Sequence, residues 1–207
     1  MRNPINSILS ASSDLFAGAD YDARQRKHLL GVVIGETRRL DRIVDNLLGL
    51  SRLQAGALAP SLEPVSAAEI VEQCRSRFPL IGADSDTLIV AGDLPDVDVL
   101  VDPVQIDQVL TNLVENAVRH APAAVHVTVA VAERDAMVEW RVRDDGPGFT
   151  PDARANVFEP FRSTAGSSGL GLTLCKAIVE AHGGALTIDD EQSAQGASIR
   201  FTVPRAC

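Results

Sequence analysis

The 207-residue sequence lacks several features that would assign it to common functional classes. No run of about 18 apolar residues is present, so no segment is predicted to cross a membrane, and no signal peptide is recognised. Basic residues are outnumbered, since 19 Lys and Arg against 28 Asp and Glu give a net charge of −9. Because phosphate backbones are bound by basic surfaces, we expect no nucleic-acid partner.

Cysteine is also scarce, and the spacing of Cys74, Cys175 and Cys207 contains no Cys-x-x-Cys pair. An odd number of unclustered cysteines predicts reduced thiols in a cytoplasmic protein. The remaining composition is that of a globular protein, with 45% hydrophobic and 23% charged residues. This length allows one large domain or two small ones, and a membrane segment could still precede Met1 if the chain is a fragment.

The first 62 residues are helical by pattern. An amphipathic stretch runs from Ile5 to Leu15, and residues 16–21 read as a turn. A heptad seam follows, formed by Leu30, Val33, Thr37, Leu40, Val44, Leu47 and Ser51. The pattern predicts a helical hairpin with an apolar stripe that one copy cannot cover. A second copy would complete a four-helix bundle, so we expect a homodimer.

Strands and helices alternate from residue 63 onward, which predicts a second domain over residues 63–207. Strand patterns cover residues 87–91, 97–101, 125–132, 137–143, 185–189 and 197–203, and helix patterns cover 66–78, 103–120 and 170–182. Ser66 and Glu69 form a capping-box pattern at the first of these helices. The mixture predicts an α+β fold with helices on one face of a mixed or antiparallel sheet.

A pair of asparagines marks the helix over residues 103–120. Asn112 and Asn116 are four residues apart, so they share one helix face. Their neutral amide oxygens could complete the shell of a Mg²⁺ ion that is shared with phosphates, although a single asparagine would more simply be a surface residue. Arg119 could meet a phosphate, and His120 could stack on a base, although a lone histidine is more often a packing or surface residue.

Two glycine-bearing segments follow this helix. Asp144 ends a strand and could accept a hydrogen bond from an adenine amino group, while Gly146 and Gly148 would let the backbone come close. Alone, the segment also fits an ordinary turn. Residues 166–172 run into a helix whose free N–H groups favour an anion, or are simply a helix start after a flexible loop. Their spacing matches neither a Walker loop nor a Rossmann turn.

Between these segments, residues 150–168 are rich in small and polar side chains and read as a mobile lid. Phe158 and Phe161 could fix this lid on apolar surface, and the alternative for each is an ordinary core aromatic.

Together these motifs resemble the sensor histidine kinases of bacterial two-component systems, over nearly the whole chain. The matching boxes are Asn112 to His120 (N box), Asp144 to Gly148 (G1), Phe158 to Phe161 (F), Gly169 to Leu172 (G2) and Gln195 to Ser198 (the last glycine box). The resemblance implies a Bergerat-type α/β sandwich of the GHKL class that binds ATP, with Asn116 on Mg²⁺ and Asp144 on adenine. It further implies nucleotide contacts or catalytic roles for Asn112, Arg119, His120, Gly146, Gly148, Phe158, Phe161, Gly169, Leu170, Gly171 and Leu172.

The helical hairpin is similar to the HisKA-type dimerisation and phosphotransfer helices of this family. Residues 1–8 resemble the stretch that follows the phosphoacceptor histidine, which by that alignment would stand two residues before Met1. Asn3 falls where the family places a polar residue that orients water for dephosphorylation of the partner regulator. None of the histidines that are present carries this motif, so we interpret each as a packing or surface residue: His28, His120, His126 and His182.

The resemblance implies the catalytic core of a kinase that phosphorylates a histidine, from which the phosphoryl group passes to an aspartate on a response-regulator receiver domain. Without the phosphoacceptor, this chain is not expected to phosphorylate itself. One alternative is a nucleotide-binding regulatory partner that acts in trans. Another is an ATPase of gyrase or chaperone type, but those enzymes carry a glutamate where Asn112 stands.

Overall fold

The structure is a computed structural model that describes residues 3–17, 21–54, 56, 59–78, 88–91, 94–120, 126–160, 162, 169–189 and 196–206, without the side chains of 42, 53, 54, 77 and 88–91. The chain divides into two compact units, residues 1–51 and 52–207. The predicted domain boundary after residue 62 stays a prediction. Within the described ranges, no helix combines the length and apolar character needed to cross a membrane.

The first unit contains helix α1, Pro4–Phe16, and all but the last three residues of helix α2, Ala23–Gln54. Asn3 caps α1, because its Oδ1 accepts the N–H of Ile5 at 3.1 Å, and Pro4 fits the first turn that follows. At the start of α2, Asp22 Oδ1 accepts the N–H of Gln25 at 2.7 Å, and Gln25 Oε1 accepts the N–H of Asp22 at 2.9 Å. This reciprocal pair is a capping box, which was not predicted from the sequence.

These two helices bury few side chains. Among their described residues, only Ala11 and Asn46 are buried. Most of the predicted heptad seam is exposed, including Leu30, Val44 and Leu47. The seam is therefore an apolar stripe that this chain does not cover by itself within the described residues.

Among the residues that the structure describes, the second unit contains seven strands and four helices. The strands are β1, Glu63–Ser66; β2, Leu88–Ala91; β3, Asp98–Val101; β4, His126–Arg134; β5, Met137–Asp144; β6, Leu186–Ile188; and β7, Ser198–Pro204. The helices are α3, Ala67–Arg77; α4, Pro103–His120; α5, Pro151–Asn156; and α6, Gly171–Ala181. A five-stranded sheet has the order β2-β4-β5-β7-β6, in which only the β2–β4 pair is parallel, and β1 pairs antiparallel with β3. The predicted α+β fold with a mixed sheet is confirmed.

The core lies between the sheet and α3, α4 and α6. Alternate residues of β4, β5 and β7 are buried, as expected for a sheet with one covered face. Trp140 of β5 stacks on its cross-strand neighbour Phe201, with ring centroids 5.6 Å apart. The apolar stripe of α4 faces this layer, and its buried apolar residues are Ile106, Val109, Leu110, Leu113, Val114 and Ala117. This packing fixes α4 relative to the end of β5.

Two local predictions need correction. Ser66 is the N-cap of α3 but makes no side-chain cap hydrogen bond, so the predicted capping box with Glu69 is wrong. Ser66 instead ends β1 opposite Asp98, and the first helical N–H, that of Ala67, donates to the carbonyl oxygen of Val97 at 3.0 Å. In addition, the predicted lid begins with the helix α5, because Thr150 caps it through its Oγ1 and Pro151 fits its first turn.

A buried histidine joins the start of α4 to the end of α6. His182 Nε2 accepts the N–H of Asp102 at 3.0 Å, and its Nδ1–H donates to the carbonyl oxygen of Ile178 at 2.8 Å, a tautomer assigned from this network. The Asp102 carboxylate in turn accepts the N–H groups of Val104 and Gln105, both at 3.1 Å, and so caps α4. The packing role assigned to His182 agrees with these contacts.

Candidate functional site

The two asparagines of α4 lie half-buried on consecutive turns. Asn112 faces the first turn of α6, since a Cβ atom built on Gly171 would lie 3.5 Å from Asn112 Oδ1. Cys175, one turn further along α6, is fully buried, and its Sγ lies 3.8 Å from the carbonyl oxygen of Val109 on α4. Asn116 lies one turn beyond Asn112 toward the C-terminal end of α4. The structure therefore brings Asn112 and Gly171 together, although 59 positions separate them in sequence.

Arg119 and His120 occupy the last turn of α4. The guanidinium of Arg119 lies 3.8 Å from Glu115, whose side chain is 11% exposed. Partial burial lowers the pKa of His120, the neighbouring charge of Arg119 lowers it further, and the carboxylate of Asp144 opposes the shift. These electrostatic effects require that the end of α4 lies close to the end of β5.

The carboxylate of Asp144 is oriented by two backbone donors. Its Oδ1 accepts the N–H of Gly146 at 2.9 Å and the N–H of Ala197 at 3.1 Å. Its own N–H donates to the carbonyl oxygen of Ala197 at 2.9 Å. Within the part of the chain that the structure describes, every hydrogen bond to this carboxylate ends on Oδ1. Oδ2 remains as the acceptor for another donor.

Close backbone contact accounts for the glycines around Asp144. A Cβ atom on Gly146 would lie 2.9 Å from Asp144 Oδ1. Gly148 has a φ of +73°, and a Cβ atom there would lie 2.8 Å from the carbonyl oxygen of Gly196. Gly196 has a φ of +95°, and a side chain on it would overlap the backbone of Asp144. Any side chain on these glycines would displace the Asp144 carboxylate or the loop beside it.

Gly196 and Ala197 were not among the predicted site residues, although they hold Asp144 in position. The segment Gln195-Gly-Ala-Ser gave a weak signal for them through its likeness to the last glycine box. A lone glycine before a strand does not by itself identify the strand end that it contacts.

Phe158 is half-buried and packs against the core. Its carbonyl oxygen accepts a hydrogen bond from Thr173 Oγ1 at 3.0 Å, and Lys176 Nζ lies 5.6 Å from the centre of its ring. The predicted lid is therefore attached to α6 at Phe158. Phe161, Gly166 and most of the remaining lid lie outside the described residues.

The glycine segment before α6 makes a left-handed turn. Gly169 has a φ of +68°, Leu170 is buried, and α6 begins at Gly171. Leu170 accepts the N–H of Leu174 at 2.9 Å, and Leu172 packs against the core. Of the predicted residues, Asn112 and Phe158 lie against the first turns of α6, which the segment 169–172 begins. Asp144, Gly146 and Gly148 lie at the end of β5, and Arg119 and His120 lie in the last turn of α4.

Residues 101–206 match the family described as histidine kinase-, DNA gyrase B-, and HSP90-like ATPase. The chain belongs to this family. Its relatives identify it more narrowly as containing the ATP-binding domain of a two-component sensor histidine kinase. The chain is 31% identical over 99% of its length to the alginate biosynthesis sensor protein KinB of Pseudomonas aeruginosa, and covers 35% of that protein. It is 33% identical over 91% of its length to the sensor-like histidine kinase SenX3 of Mycobacterium tuberculosis, and covers 47% of it.

Solved histidine kinase structures have the same fold. Full-length ShkA in complex with AMPPNP is 30% identical, with a TM-score of 0.69 over 99% of this chain and 44% of that one. The histidine kinase ThkA in complex with the response regulator TrrA is 23% identical, with a TM-score of 0.73 over 99% of this chain and 58% of that one. The latter similarity is one of fold. The chain spans less than half the length of KinB, SenX3 and ShkA.

Proposed function

We propose that the chain binds Mg·ATP between α4, α6 and the end of β5, and uses it to phosphorylate a histidine. The observation that carries the nucleotide assignment is the carboxylate of Asp144. Because two backbone N–H groups hold its Oδ1, its Oδ2 is a fixed acceptor. The amino group of adenine is a donor that such an acceptor would bind. The likeness to ShkA, which was solved with AMPPNP, supports a bound nucleotide.

Mg²⁺ would be held by Asn116, with Asn112 beside it, and by the phosphates of ATP. Amide oxygens are hard neutral donors, and Mg²⁺ in nucleotide sites usually takes few protein ligands and keeps several waters. The half-buried position of both asparagines fits this chemistry. Among the described residues, no group of three His, Cys, Asp and Glu side chains could hold a metal. When bound, the ion would neutralise charge on the phosphates during transfer.

The chain's own contribution to phosphoryl transfer would be positioning and charge stabilisation. Arg119 is the proposed phosphate contact, and its guanidinium lies in the last turn of α4, 3.8 Å from the Glu115 carboxylate. His120, Gly146, Gly148 and residues 169–172 would line the nucleotide, and Phe158 with Phe161 would support the lid. The phosphoryl group would pass from histidine to an aspartate of a response regulator, the kind of partner with which ThkA was solved.

The acceptor histidine is proposed to lie outside this sequence. His182 is buried with both ring nitrogens bonded, and the Nδ1 atom of His126 lies 2.8 Å from Asp145. His120 belongs to the proposed nucleotide site, and His28 is exposed on α2 without the family's motif. Asn3, whose Oδ1 caps α1, is proposed to orient water for dephosphorylation of the regulator.

A homodimer through α1 and α2 is part of this proposal. Leu30, Val44 and Leu47 of the predicted seam are each more than half exposed in the single chain. A second copy would bury them in a four-helix bundle.

The metal assignment is tested by calorimetry with Asn116→Ala. We expect Mg·ATP affinity to fall by about 10-fold or more, and the affinity for ATP in EDTA to change little, because the lost group serves the metal. Asn156→Ala on α5 is the matched control. Equal Mg·ATP affinity in Asn116→Ala and the unmodified chain would contradict the assignment.

Phosphoryl transfer is tested by incubating the chain with [γ-³²P]ATP and a separately supplied helical hairpin that carries the family's histidine motif. We expect acid-labile, base-stable label on the hairpin and none on the chain. Label on the chain itself would overturn the proposal about the acceptor. Nucleotide binding without any transfer would instead favour a regulatory partner that acts in trans.

A further inference from the structure

We propose that an ion pair between Asp189 and Arg141 positions the carboxylate of Asp144, which makes Asp189 a positioning residue of the adenine site. This inference rests on the proposed function, in which Asp144 binds adenine. Asp189 directly follows β6 and is only 1% exposed. The nucleotide site proposed above does not use this carboxylate, and a buried charge requires partners that offset its desolvation.

Asp189 is tied to the first residue of β7 by both its backbone and its side chain. Its N–H donates to the carbonyl oxygen of Ser198 at 2.9 Å, and its Oδ2 accepts from Ser198 Oγ at 3.4 Å. Ser198 pairs with Arg143 of β5, and paired residues place their side chains on the same face of a sheet. Asp189 and Ser198 therefore lie on the outer face, which is the face away from α3, α4 and α6.

Arg141 supplies the counter-charge from β5. Its Nε lies 2.8 Å from Asp189 Oδ2, and the contact is an ion pair without a hydrogen bond, because the Nε–H is not aligned with the oxygen. Since β7 lies between β5 and β6, the side chain of Arg141 crosses β7 to reach the carboxylate. Arg141 also lies directly opposite Arg200, and like charges in that position repel. Asp189 offsets this repulsion, together with Glu139 at 3.4 Å from Arg141.

The residue before Ser198 is one of the two donors that orient Asp144. The N–H of Ala197 donates to Asp144 Oδ1 at 3.1 Å, and the N–H of Asp144 donates to the carbonyl oxygen of Ala197 at 2.9 Å. The position of the Ala197 N–H is set by the start of β7, which Asp189 holds against β6. If the start of β7 loosens, the bond from Ala197 weakens and the carboxylate can turn about its bond with the N–H of Gly146. A fixed carboxylate reduces the ordering cost of binding, which is the usual gain from a preorganised site.

Calorimetry on the 207-residue chain with two nucleotides tests this role. The nucleotides are ATP and the triphosphate of purine riboside, which lacks the 6-amino group, each with Mg²⁺. Asp189→Asn removes the charge and keeps the shape of the side chain, and it should weaken ATP binding about 3- to 10-fold through the loosened hydrogen bond to the amino group. Affinity for purine riboside triphosphate should stay within about two-fold, because Asp144 has no donor to meet there.

Glu133→Gln is the matched control, because it breaks an ion pair of the same 2.8 Å length with Arg205 at the opposite end of the sheet. It should change neither affinity. An equal loss for both nucleotides in Asp189→Asn would indicate a general structural role and would overturn the inference, as would unchanged ATP affinity.

Arg141→Gln removes the other partner of the ion pair and should reproduce the loss that is selective for ATP. If thermal unfolding shows that Asp189→Asn does not fold, Arg141→Gln decides the question. Where both variants fold, the double variant should bind ATP little more weakly than either single variant, because the two residues act as one pair. Additive losses would contradict a joint action.

Hydrogen exchange without nucleotide distinguishes failure of this inference from failure of the proposed function. In the nucleotide-free chain, the Ala197 amide should exchange about 5-fold faster or more in Asp189→Asn and at an unchanged rate in Glu133→Gln. An unchanged rate in Asp189→Asn would refute the positioning. If exchange accelerates while the unmodified chain does not bind Mg·ATP, or binds both nucleotides equally, the proposed adenine contact fails and the positioning of Asp144 stands.

Discussion

The two helices of the first unit and the α/β layers of the second use similar apolar patterns, but only the second unit buries them. On β4, β5 and β7 every second residue is buried, and α4 buries its whole apolar stripe. On α2 the heptad seam is largely exposed. A pattern with a covering layer in the same chain produces a core, whereas the same kind of pattern without one indicates a contact with another molecule. We expect the two units to respond differently to substitution.

The largest effect is expected for Phe201→Ala, in the core of the second unit. Phe201 is fully buried and stacks on Trp140, so its truncation should lower the free energy of unfolding by about 3–5 kcal/mol. Trp140 is the only tryptophan of the chain, and its fluorescence during urea unfolding reports on this unit alone. A loss below about 1 kcal/mol would contradict the packing described for the sheet.

A smaller effect on stability, but a large one on assembly, is expected for Val44→Lys combined with Leu47→Lys. Both side chains are exposed in the single chain, and burial of each in a dimer would contribute about 1.5–3 kcal/mol. Sedimentation should therefore show a dimer that becomes monomeric, while the Trp140 unfolding transition stays unchanged. Asp45→Lys, which places the same charge off the seam, should remain dimeric. A monomeric unmodified chain would contradict the predicted bundle.

Next in size is Thr173→Val, which removes the donor to the carbonyl oxygen of Phe158. The loss of this hydrogen bond is expected to cost about 0.5–1.5 kcal/mol and to act locally, because α5 has no buried residues. Trypsin should cleave faster after the exposed Arg162, without a comparable change in global unfolding. Thr187→Val on the outer sheet face is the control. An unchanged cleavage rate would show that Thr173 does not retain the lid segment.

The smallest effect concerns the exposed pair of Asp145 and His126. The backbone N–H of His126, followed by its ring, lowers the pKa of Asp145. A lowered pKa favours the charged form in the folded state, so the stabilisation is present above the ordinary carboxyl pKa and is lost as the pH falls through the folded-state pKa. Asp145→Asn should therefore reduce Tm slightly at neutral pH, and the difference should disappear in acid. A difference that grows toward low pH would contradict this assignment.

Much of the second unit was predictable because the apolar patterns that mark its helices and strands are local in sequence. The predicted helix over residues 103–120 coincides with α4, and the strand predicted at 137–143 differs from β5 by one residue. In contrast, β1 was missed: it is four residues long, contains Pro64, and is defined by its pairing with β3. A capping box was predicted at Ser66, whereas the structure has one at Asp22. Ser66 instead pairs with Asp98 in the β1–β3 ladder, and such tertiary pairing cannot be seen in sequence periodicity.

The candidate site also contains residues that local sequence patterns predict and contacts that they do not. Residue types in the N and G1 boxes suggested Asn112, Asn116 and Asp144 directly from sequence. The orientation of Asn112 toward α6 and the donor that Ala197 provides to Asp144 arise from segments about 60 and 50 residues away, so no local pattern could predict them.

We propose above that Asp144, oriented by the backbone N–H groups of Gly146 and Ala197, binds the adenine of ATP. The most direct test is calorimetry of Mg·ATP binding to the unmodified chain, to Asp144→Asn and to the adjacent Asp145→Asn. Loss of a hydrogen bond to a charged acceptor predicts that Asp144→Asn weakens binding by about 10- to 100-fold, whereas Asp145→Asn leaves it nearly unchanged. Unchanged affinity in Asp144→Asn, or an equal loss in both variants, would contradict the claim.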